Sequence, residues 1–419
     1  MVRDAFPALN DKCMKYNLIC KKCGAVINNF AEWFAHDQLC PQCGSNHVEV
    51  KYDADYTKLP ELYKGKPESF WHYFDFLPLE DKKNIVSFGE GAIPVEHWEF
   101  LDRVAKEKYG IDCKAYVYRN DLNGGTNTFK DVAASLAASL FKENGVKEYC
   151  LASSGNTATA YSKYLAKAGV KFDIFVPECV CKDTTDEIRS LGQNLVVCEG
   201  DYGAAKKVAA NFHKEQKVMI SAGNIDPIRV EAKKTMVFEF MRQLGKMPDV
   251  YVQAVAGGTG PIALDKGVRE ICGMYPEVKL PRMILVQQDT CDPMVQGWER
   301  AVKSNFAEGY EKDYPVIDNP QTKVSILSAG NPGMYPIVAP IVRKSDGCFV
   351  RIKESQIADY ARIAKNEKGV YFGPAGAVCF AGFYKALEEG RIRNGETVLI
   401  NTGEGAARAK DFKAEVDAK

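Results

Sequence analysis

Short apolar runs alternate with amphipathic segments from about residue 114 to residue 401. Strands are predicted at 115–118, 148–152, 172–176, 194–198, 218–221, 250–256, 283–287 and 397–401. Helical patterns lie between most of them, for example at 159–168, 183–191, 203–214 and 229–244. Repeated strand–helix–strand units form parallel sheets that helices cover on both faces. We therefore predict an α/β fold in which ligands bind beyond the carboxyl ends of the strands.

Three of the turns that follow predicted strands are rich in glycine and hydroxyl side chains. The turn after 148–152 opens a helix whose free N–H groups suit an anion such as a carboxylate, and it contains Ser153, Ser154, Gly155, Asn156 and Thr157. The turn after 250–256 is a cup suited to a phosphate, made of Gly257, Gly258, Thr259 and Gly260. The turn after 397–401 places the neutral hydroxyl of Thr402 at a strand end. Each turn alone is weak evidence, because turns are commonly rich in these residues.

Lys130 lies at the start of a predicted helix. Thr128 is predicted as its N-cap, and Asp131 takes the third helical position, as in a capping box. A cation is disfavoured where a helix begins, so a buried lysine there should have a lowered pKa and be a better nucleophile. The alternative is a surface lysine in an ordinary first turn.

The first fifty residues contain two CxxC-Gly units that are sixteen residues apart. This spacing is typical of a structural zinc ribbon, with a tetrahedral Zn²⁺ ion held by Cys20, Cys23, Cys40 and Cys43. A redox CxxC is the alternative, which two units at this spacing disfavour. His36 lies between the units and is interpreted as a bystander. The segment has no dense basic stripe, which favours a structural or docking role over nucleic-acid binding.

The charge balance excludes some classes of function. The 55 basic and 55 acidic residues cancel, which argues against bulk binding to nucleic acid or to an anionic membrane. The first residues lead into no apolar signal-peptide region, and no apolar run reaches the length needed to span a bilayer. The 14 cysteines are scattered through a large chain, which indicates a reducing, cytoplasmic location.

The order of these motifs between about residues 87 and 410 resembles the fold type II pyridoxal-phosphate enzymes of the tryptophan synthase β-like superfamily. Within them it is most similar to the threonine synthase family, some members of which also carry a zinc ribbon. The resemblance implies that Lys130 binds the cofactor aldehyde, that Asn156 bonds the ring 3′-oxygen and that Thr402 meets the pyridine nitrogen. It implies that the cofactor phosphate lies in the cup of Gly257, Gly258, Thr259 and Gly260.

The same resemblance implies a substrate site for a small phosphorylated amino acid. Its carboxylate would meet the turn formed by Ser153, Ser154, Gly155 and Thr157. Its phosphate would meet Arg229, with Asn224 as a weaker candidate, because both lie in a stretch similar to the Asn-Pro-x-Arg of threonine synthases. The alternative for Arg229 is a surface arginine near a helix start.

The resemblance also implies a division of the chain into three units. These are a zinc ribbon at 1–50, a larger cofactor-binding domain at 51–146 and 245–419, and a smaller inserted α/β domain at 147–244. A homodimer is compatible with this architecture, and neither nucleic acid nor a membrane is expected as a partner.

Two stretches depart from the family pattern. The usual Asn-Pro-Thr-Gly-Ser-Phe-Lys-Asp-Arg is altered before Lys130, and its final arginine is replaced by Val132. Gly373 stands where relatives usually have the glutamate of Glu-Pro-x-x-Ala. These changes leave several functions open. They are synthesis of threonine from O-phosphohomoserine, β-replacement on O-phosphoserine or an O-acylserine to give cysteine, cysteate or diaminopropionate, serine or threonine dehydration, and a cofactor-free binding protein that docks through its ribbon.

Overall fold

The computed structural model describes residues 15–153 and 155–418, so Ser154 lies outside the described residues. The N-terminal segment forms a small antiparallel sheet in the order β2-β1-β3. Its elements are β1 (Tyr16–Cys20), β2 (Val26–Ile27), α1 (Phe30–Ala35) and β3 (Val48–Tyr52). Trp33 and Phe30 of α1 are fully buried, in a hydrophobic cluster that they share with Phe141 of the following segment.

The following segment leads to the reactive lysine. It contains α2 (Leu59–Tyr63), β4 (Val95–His97), α3 (Glu99–Tyr109), β5 (Lys114–Tyr118) and α4 (Asp131–Glu143). Strands β4 and β5 pair in antiparallel fashion. Helix α4 is buried along nearly its whole length, since it is built from alanine, leucine, valine and small serines that let neighbouring helices approach.

A four-stranded parallel sheet follows, in the order β8-β7-β6-β9. Its elements are β6 (Glu148–Ala152), α5 (Asn156–Ala168), β7 (Lys171–Pro177), α6 (Lys182–Ser190), β8 (Asn194–Cys198), α7 (Tyr202–Gln216) and β9 (Met219–Ile220). Each strand is followed by a helix, as the alternating sequence pattern predicts.

The rest of the chain completes a six-stranded sheet in the order β12-β11-β10-β13-β5-β4, parallel except for β4. It contributes α8 (Pro227–Leu244), β10 (Val250–Ala254), α9 (Thr259–Ile271), β11 (Arg282–Gln288), α10 (Pro293–Lys303), α11 (Tyr335–Lys344), β12 (Cys348–Ile352), α12 (Ile357–Lys368), α13 (Pro374–Glu388), β13 (Thr397–Asn401) and α14 (Lys410–Asp417).

The predicted α/β class with parallel-rich sheets is confirmed. Strand β4, whose three residues are only half-buried, and the edge strand β12 were not predicted. The strand predicted at 250–256 ends at Ala254, because the chain turns there toward the glycine cup. Within the described part of the chain, no helix has the length and apolarity that crossing a bilayer requires.

Helix α8 is buried along most of its length, and several of its charged side chains form ion pairs. Lys234, which is fully buried, lies 2.7 Å from Glu231 and 2.8 Å from Glu270. Lys266 lies 2.8 Å from Glu270, and the Tyr52 hydroxyl of the N-terminal unit donates to Glu231 at 2.7 Å. Because buried charges are tolerated only when they are paired, this network fixes α8 against α9 and the N-terminal sheet.

Candidate active site

The loop that carries Lys130 leaves the carboxyl end of β5 and is held by Asp131. The buried Asp131 carboxylate accepts hydrogen bonds from the N–H groups of Thr126 and Thr128, both at 2.8 Å. The bond to Thr128 is the predicted carboxylate half of a capping box. The helix itself begins only at Asp131, so Thr128 is not its N-cap as predicted. Its hydroxyl instead accepts from the Lys130 N–H at 3.2 Å, which tightens the turn before the helix.

The side chain of Lys130 is held where its charged form is disfavoured. Burial lowers its pKa, and the positive charge of Arg229 lowers it further, while the carboxylates of Glu404 and Asp131 act in the opposite direction. A larger fraction of the amine is therefore neutral at a given pH than for an exposed lysine. A neutral amine is the form that attacks an aldehyde.

The glycine cup lies between β10 and α9, and α9 begins inside it at Thr259. Gly258 has a φ of +82°, which turns the chain into the helix. A Cβ atom at Gly257 would lie 2.0 Å from Asn224 Nδ2, so only glycine fits at that position. Backbone N–H groups at the start of a helix, with no side chains in front of them, form a cradle for an anion.

Asn224 closes one side of this cup. The Thr259 hydroxyl donates to the Asn224 carbonyl oxygen at 3.0 Å. The residue that the sequence assigned to substrate binding therefore lies directly against the residues assigned to the cofactor phosphate.

Asn156 and Thr402 are both buried. Asn156 is the first residue of α5, and its side-chain amide donates to the Glu404 carboxylate. The Thr402 hydroxyl donates to the Tyr118 carbonyl oxygen at 3.1 Å. Glu404 also accepts from the Ala375 N–H at 3.0 Å, and burial raises the pKa of its carboxyl group.

The turn before α5 is organised by Ser153. Its hydroxyl accepts from the N–H groups of Gly155 and Ala158, both at 3.2 Å. Thr157 is half-buried in the first turn of the helix. The hydroxyl of Ser153 thus caps the helix, and the turn remains a candidate seat for an anion.

Arg229 is buried on α8, so the alternative of a surface arginine is excluded. One of its terminal nitrogens donates to the Ser221 hydroxyl at 2.8 Å, and its guanidinium lies 5.3 Å from the centre of the Tyr161 ring. Its Nε atom is buried and has no hydrogen-bond partner in the part of the chain that is described.

A single cavity collects most of the predicted residues. Its wall contains Lys130, Ser153, Thr157, Asn224, Arg229, Gly257, Gly258, Thr259 and Gly260. Gly155, Asn156 and Thr402 lie outside this wall. A buried amine and an anion cradle in one cavity fit the aldehyde and the phosphate of pyridoxal 5′-phosphate.

Two residues of the site were not predicted from the sequence. Glu404 bonds Asn156, which is 248 positions away in the chain, so no local signal could have found it. Lys233 lines the cavity beside Lys130. Its spacing of four residues from Arg229 within a predicted helix was a signal that could have found it.

The comparison with protein families decides the assignment. The profile of the family described as "Pyridoxal-phosphate dependent enzyme" matches residues 86–403, which is more than half of the chain. The chain belongs to the pyridoxal-phosphate dependent enzymes. The match begins ahead of β4 and ends just after Thr402, so it covers Lys130, Thr402 and the cup.

Curated relatives of this pyridoxal-phosphate dependent enzyme include two archaeal threonine synthases. The one from Methanocaldococcus jannaschii is 28% identical over 390 residues, covering 88% of this chain and 92% of the relative. The one from Methanosarcina acetivorans is 29% identical over 398 residues, covering 93% and 91%. The chain is a pyridoxal-phosphate dependent lyase, similar over most of its length to threonine synthases.

Solved structures share the fold of this pyridoxal-phosphate dependent enzyme. Diaminopropionate ammonia lyase from Escherichia coli superposes with a TM-score of 0.63 at 18% identity, covering 86% of this chain and 92% of that chain. Maize serine racemase gives a TM-score of 0.62 at 15% identity, covering 88% and 98%. At these identities the likeness concerns the fold.

The N-terminal unit of the enzyme gathers four cysteine sulfurs. Their Sγ atoms all lie within 4.8 Å of one another, and the group consists of Cys20, Cys23, Cys40 and Cys43. The Sγ atoms of Cys20 and Cys43 are 3.6 Å apart, as are those of Cys23 and Cys40. Sulfurs bound tetrahedrally at 2.3 Å from a zinc ion would be about 3.8 Å apart. His36 is not part of the group.

Proposed function

We propose that this lyase converts O-phosphohomoserine and water into threonine and inorganic phosphate. The observation that carries the proposal is the buried guanidinium of Arg229 in the same cavity as Lys130 and the glycine cup. A guanidinium suits the oxygens of a phosphate monoester, and its unpartnered Nε atom leaves a donor for one. The similarity to threonine synthases supports the same reaction.

We propose that Lys130 binds the aldehyde of pyridoxal 5′-phosphate and that the glycine cup holds the cofactor phosphate. The second amide hydrogen of Asn156 would donate a hydrogen bond to the ring 3′-oxygen, and Thr402 would face the pyridine nitrogen. When bound, the cofactor supplies an electron sink for the charge that forms at the substrate Cα. A neutral hydroxyl at the pyridine nitrogen leaves that nitrogen less protonated than a carboxylate would, which suits side-chain elimination and replacement.

Side chains of the protein would then transfer protons and bind the charged groups of the substrate. With its lowered pKa, the Lys130 amine accepts the proton from the substrate Cα and later returns it. Loss of a second proton, from Cβ, would expel the phosphate from Cγ while Arg229 holds it. Cγ would then take up a proton to become the methyl group, and water would add its hydroxyl at Cβ and release its other proton. The substrate carboxylate would meet the turn of Ser153, Ser154, Gly155 and Thr157, and Asn224 would lie between the two phosphate groups.

We further propose a zinc ion in the cluster of four cysteines, with a structural role. The sulfur separations support this site. The ribbon is proposed to span 1–50, the larger domain 51–146 and 245–419, and the smaller domain 147–244, and the three sheets support this division. A cytoplasmic location is supported by the described cysteines, none of which forms a disulfide.

A panel of amino acids tests the reaction. The holoenzyme is incubated with O-phosphohomoserine, O-phosphoserine, serine and threonine, and both released phosphate and product mass are measured. The proposal expects phosphate and threonine from O-phosphohomoserine. Phosphate released only from O-phosphoserine would instead indicate β-replacement. Formation of an oxo acid from serine or threonine, with no phosphate released from either phosphorylated amino acid, would indicate a dehydratase.

A further inference from the structure

Lys233 is a second lysine in the cavity that contains Lys130. It lies on α8 one helical turn after Arg229, so the two cations share one face of the helix. Its side chain is only 6% exposed, and it lines the same cavity wall as Arg229 and the cup. Its side-chain nitrogen lies 5.2 Å from the centre of the Phe129 ring, and Phe129 directly precedes Lys130 in the sequence.

The side-chain amine of Lys233 has no polar partner among the described residues. Other buried charged groups of α8 form ion pairs, such as Lys234 with Glu231 at 2.7 Å and Arg242 with Glu239 at 2.8 Å. Lys233 forms neither a hydrogen bond nor an ion pair with any residue in 15–153 or 155–418, although it keeps the contact with the Phe129 ring. A buried charge without a partner costs several kcal/mol. Such a cost indicates that the partner is a ligand.

The electrostatic surroundings of Lys233 are positive. Burial lowers its pKa strongly, and the charges of Lys130 and Arg229 lower it further. Only Asp226 acts in the opposite direction, and this buried carboxylate already accepts from the Ile228 N–H at 2.9 Å as the cap of α8. An anion that enters between Lys233 and Arg229 would relieve this repulsion.

The cofactor phosphate does not require these two cations. Its cradle is the glycine cup, where the N–H groups at the start of α9 are available. Two cations on one face of α8 therefore remain for a second anion. An arginine fork together with the point charge of a lysine suits a doubly charged phosphate monoester.

We propose that Lys233 and Arg229 together form the subsite for the substrate phosphate group, and that Lys233 makes the site selective for phosphorylated substrates. The inference rests on the proposed function, because it assumes a phosphorylated amino acid. In this arrangement Arg229 orients the phosphate oxygens, and Lys233 adds the second positive charge that an uncharged leaving group would not need.

Binding of inorganic phosphate to the holoenzyme tests this subsite, because the cofactor then fills the cup. Calorimetry at constant ionic strength compares the unaltered enzyme with Lys233→Gln and Lys233→Arg. We expect Lys233→Gln to weaken phosphate affinity about 10- to 100-fold and Lys233→Arg to retain most of it. The matched control is Lys413→Gln, which removes a lysine whose ammonium lies 4.6 Å from the centre of the Tyr371 ring, outside the cavity.

Three further readouts separate a binding role from a structural one. Cofactor content per chain and the melting temperature of Lys233→Gln should be preserved, because the substitution removes an unpaired buried charge. The KM for the phosphorylated substrate should rise more than kcat falls. Unchanged phosphate affinity in Lys233→Gln, loss of cofactor from it, or no phosphate binding by the unaltered holoenzyme would overturn the proposal. The binding assay needs no turnover, so an enzyme that binds phosphate through Lys233 yet makes no threonine would refute the proposed reaction alone.

Discussion

The carboxylate of Glu404 fills the space beside Gly373. A Cβ atom at position 373 would lie 2.7 Å from Glu404 Oε1, so a larger residue there would displace the carboxylate. The family pattern has a glutamate at that position, and this chain instead supplies a carboxylate from the turn after β13. Glu404 accepts a hydrogen bond from Asn156, and its carboxylate raises the pKa of Lys130. It is therefore a charged group that influences the reactive amine.

Glu404→Gln should lower the pKa of Lys130 further. The Glu404 carboxylate raises that pKa by stabilising the ammonium form, so its removal favours the neutral amine. The half-reaction pH for acylation of Lys130 in cofactor-free enzyme, followed by peptide mass spectrometry, should move down. Asp346→Asn removes an exposed carboxylate and serves as the control. A half-reaction pH that rises or stays constant in Glu404→Gln would contradict this assignment.

Gly257→Ala should weaken cofactor binding about tenfold or more. The new methyl group would lie 2.0 Å from Asn224 Nδ2, so either Asn224 or the cup must move. Overpacking of this kind costs about 1–3 kcal/mol, and each 1.4 kcal/mol is about tenfold in affinity. The dissociation constant is measured by titrating cofactor-free enzyme with pyridoxal phosphate. Gly273→Ala is the matched control, because nothing lies within 4 Å of its added methyl group. Equal affinities in the two variants would show that the cup does not hold the cofactor.

The chain pattern predicted the parts of the site that follow from local rules. Parallel strands end at the same edge of a sheet, so turns rich in glycine and hydroxyl groups after β10 and β13 could be assigned to one site. The partnership of Gly373 with Glu404 was not predictable in this way, because it depends on how two distant turns pack. The spacing of Lys233 from Arg229 was a signal for it, but α8 is buried on nearly every side, so no amphipathic pattern marks the face toward the cavity.

Cys43→Ser should destabilise the folded N-terminal unit. Zinc binding contributes folding energy in ribbons of this kind, and loss of one thiolate weakens it. We expect freshly purified enzyme to contain about one zinc ion per chain and the variant to contain much less. Limited proteolysis should then cut within residues 15–52 before it cuts the rest of the chain. Cys272→Ser removes an exposed cysteine outside the cluster and should change neither result. Unaltered enzyme that lacks zinc would refute the metal assignment.

Lys234→Met should lower the stability of the whole enzyme. Removing this fully buried ammonium leaves Glu231 and Glu270 without their closest cation on α8. Breaking a buried ion pair by removing one partner costs about 3–5 kcal/mol. Urea unfolding measures the loss, and Lys182→Met, which removes an exposed lysine from α6, is the control. An unchanged unfolding midpoint in Lys234→Met would show that the network does not stabilise α8.

The most direct test identifies the lysine to which the cofactor is covalently attached. Holoenzyme is reduced with borohydride, digested and analysed by peptide mass spectrometry. We predict that the peptide containing Lys130 alone carries the added cofactor mass, and that Lys130→Ala carries none and loses nearly all turnover. Cofactor mass on another lysine such as Lys233, or normal turnover in Lys130→Ala, would contradict it.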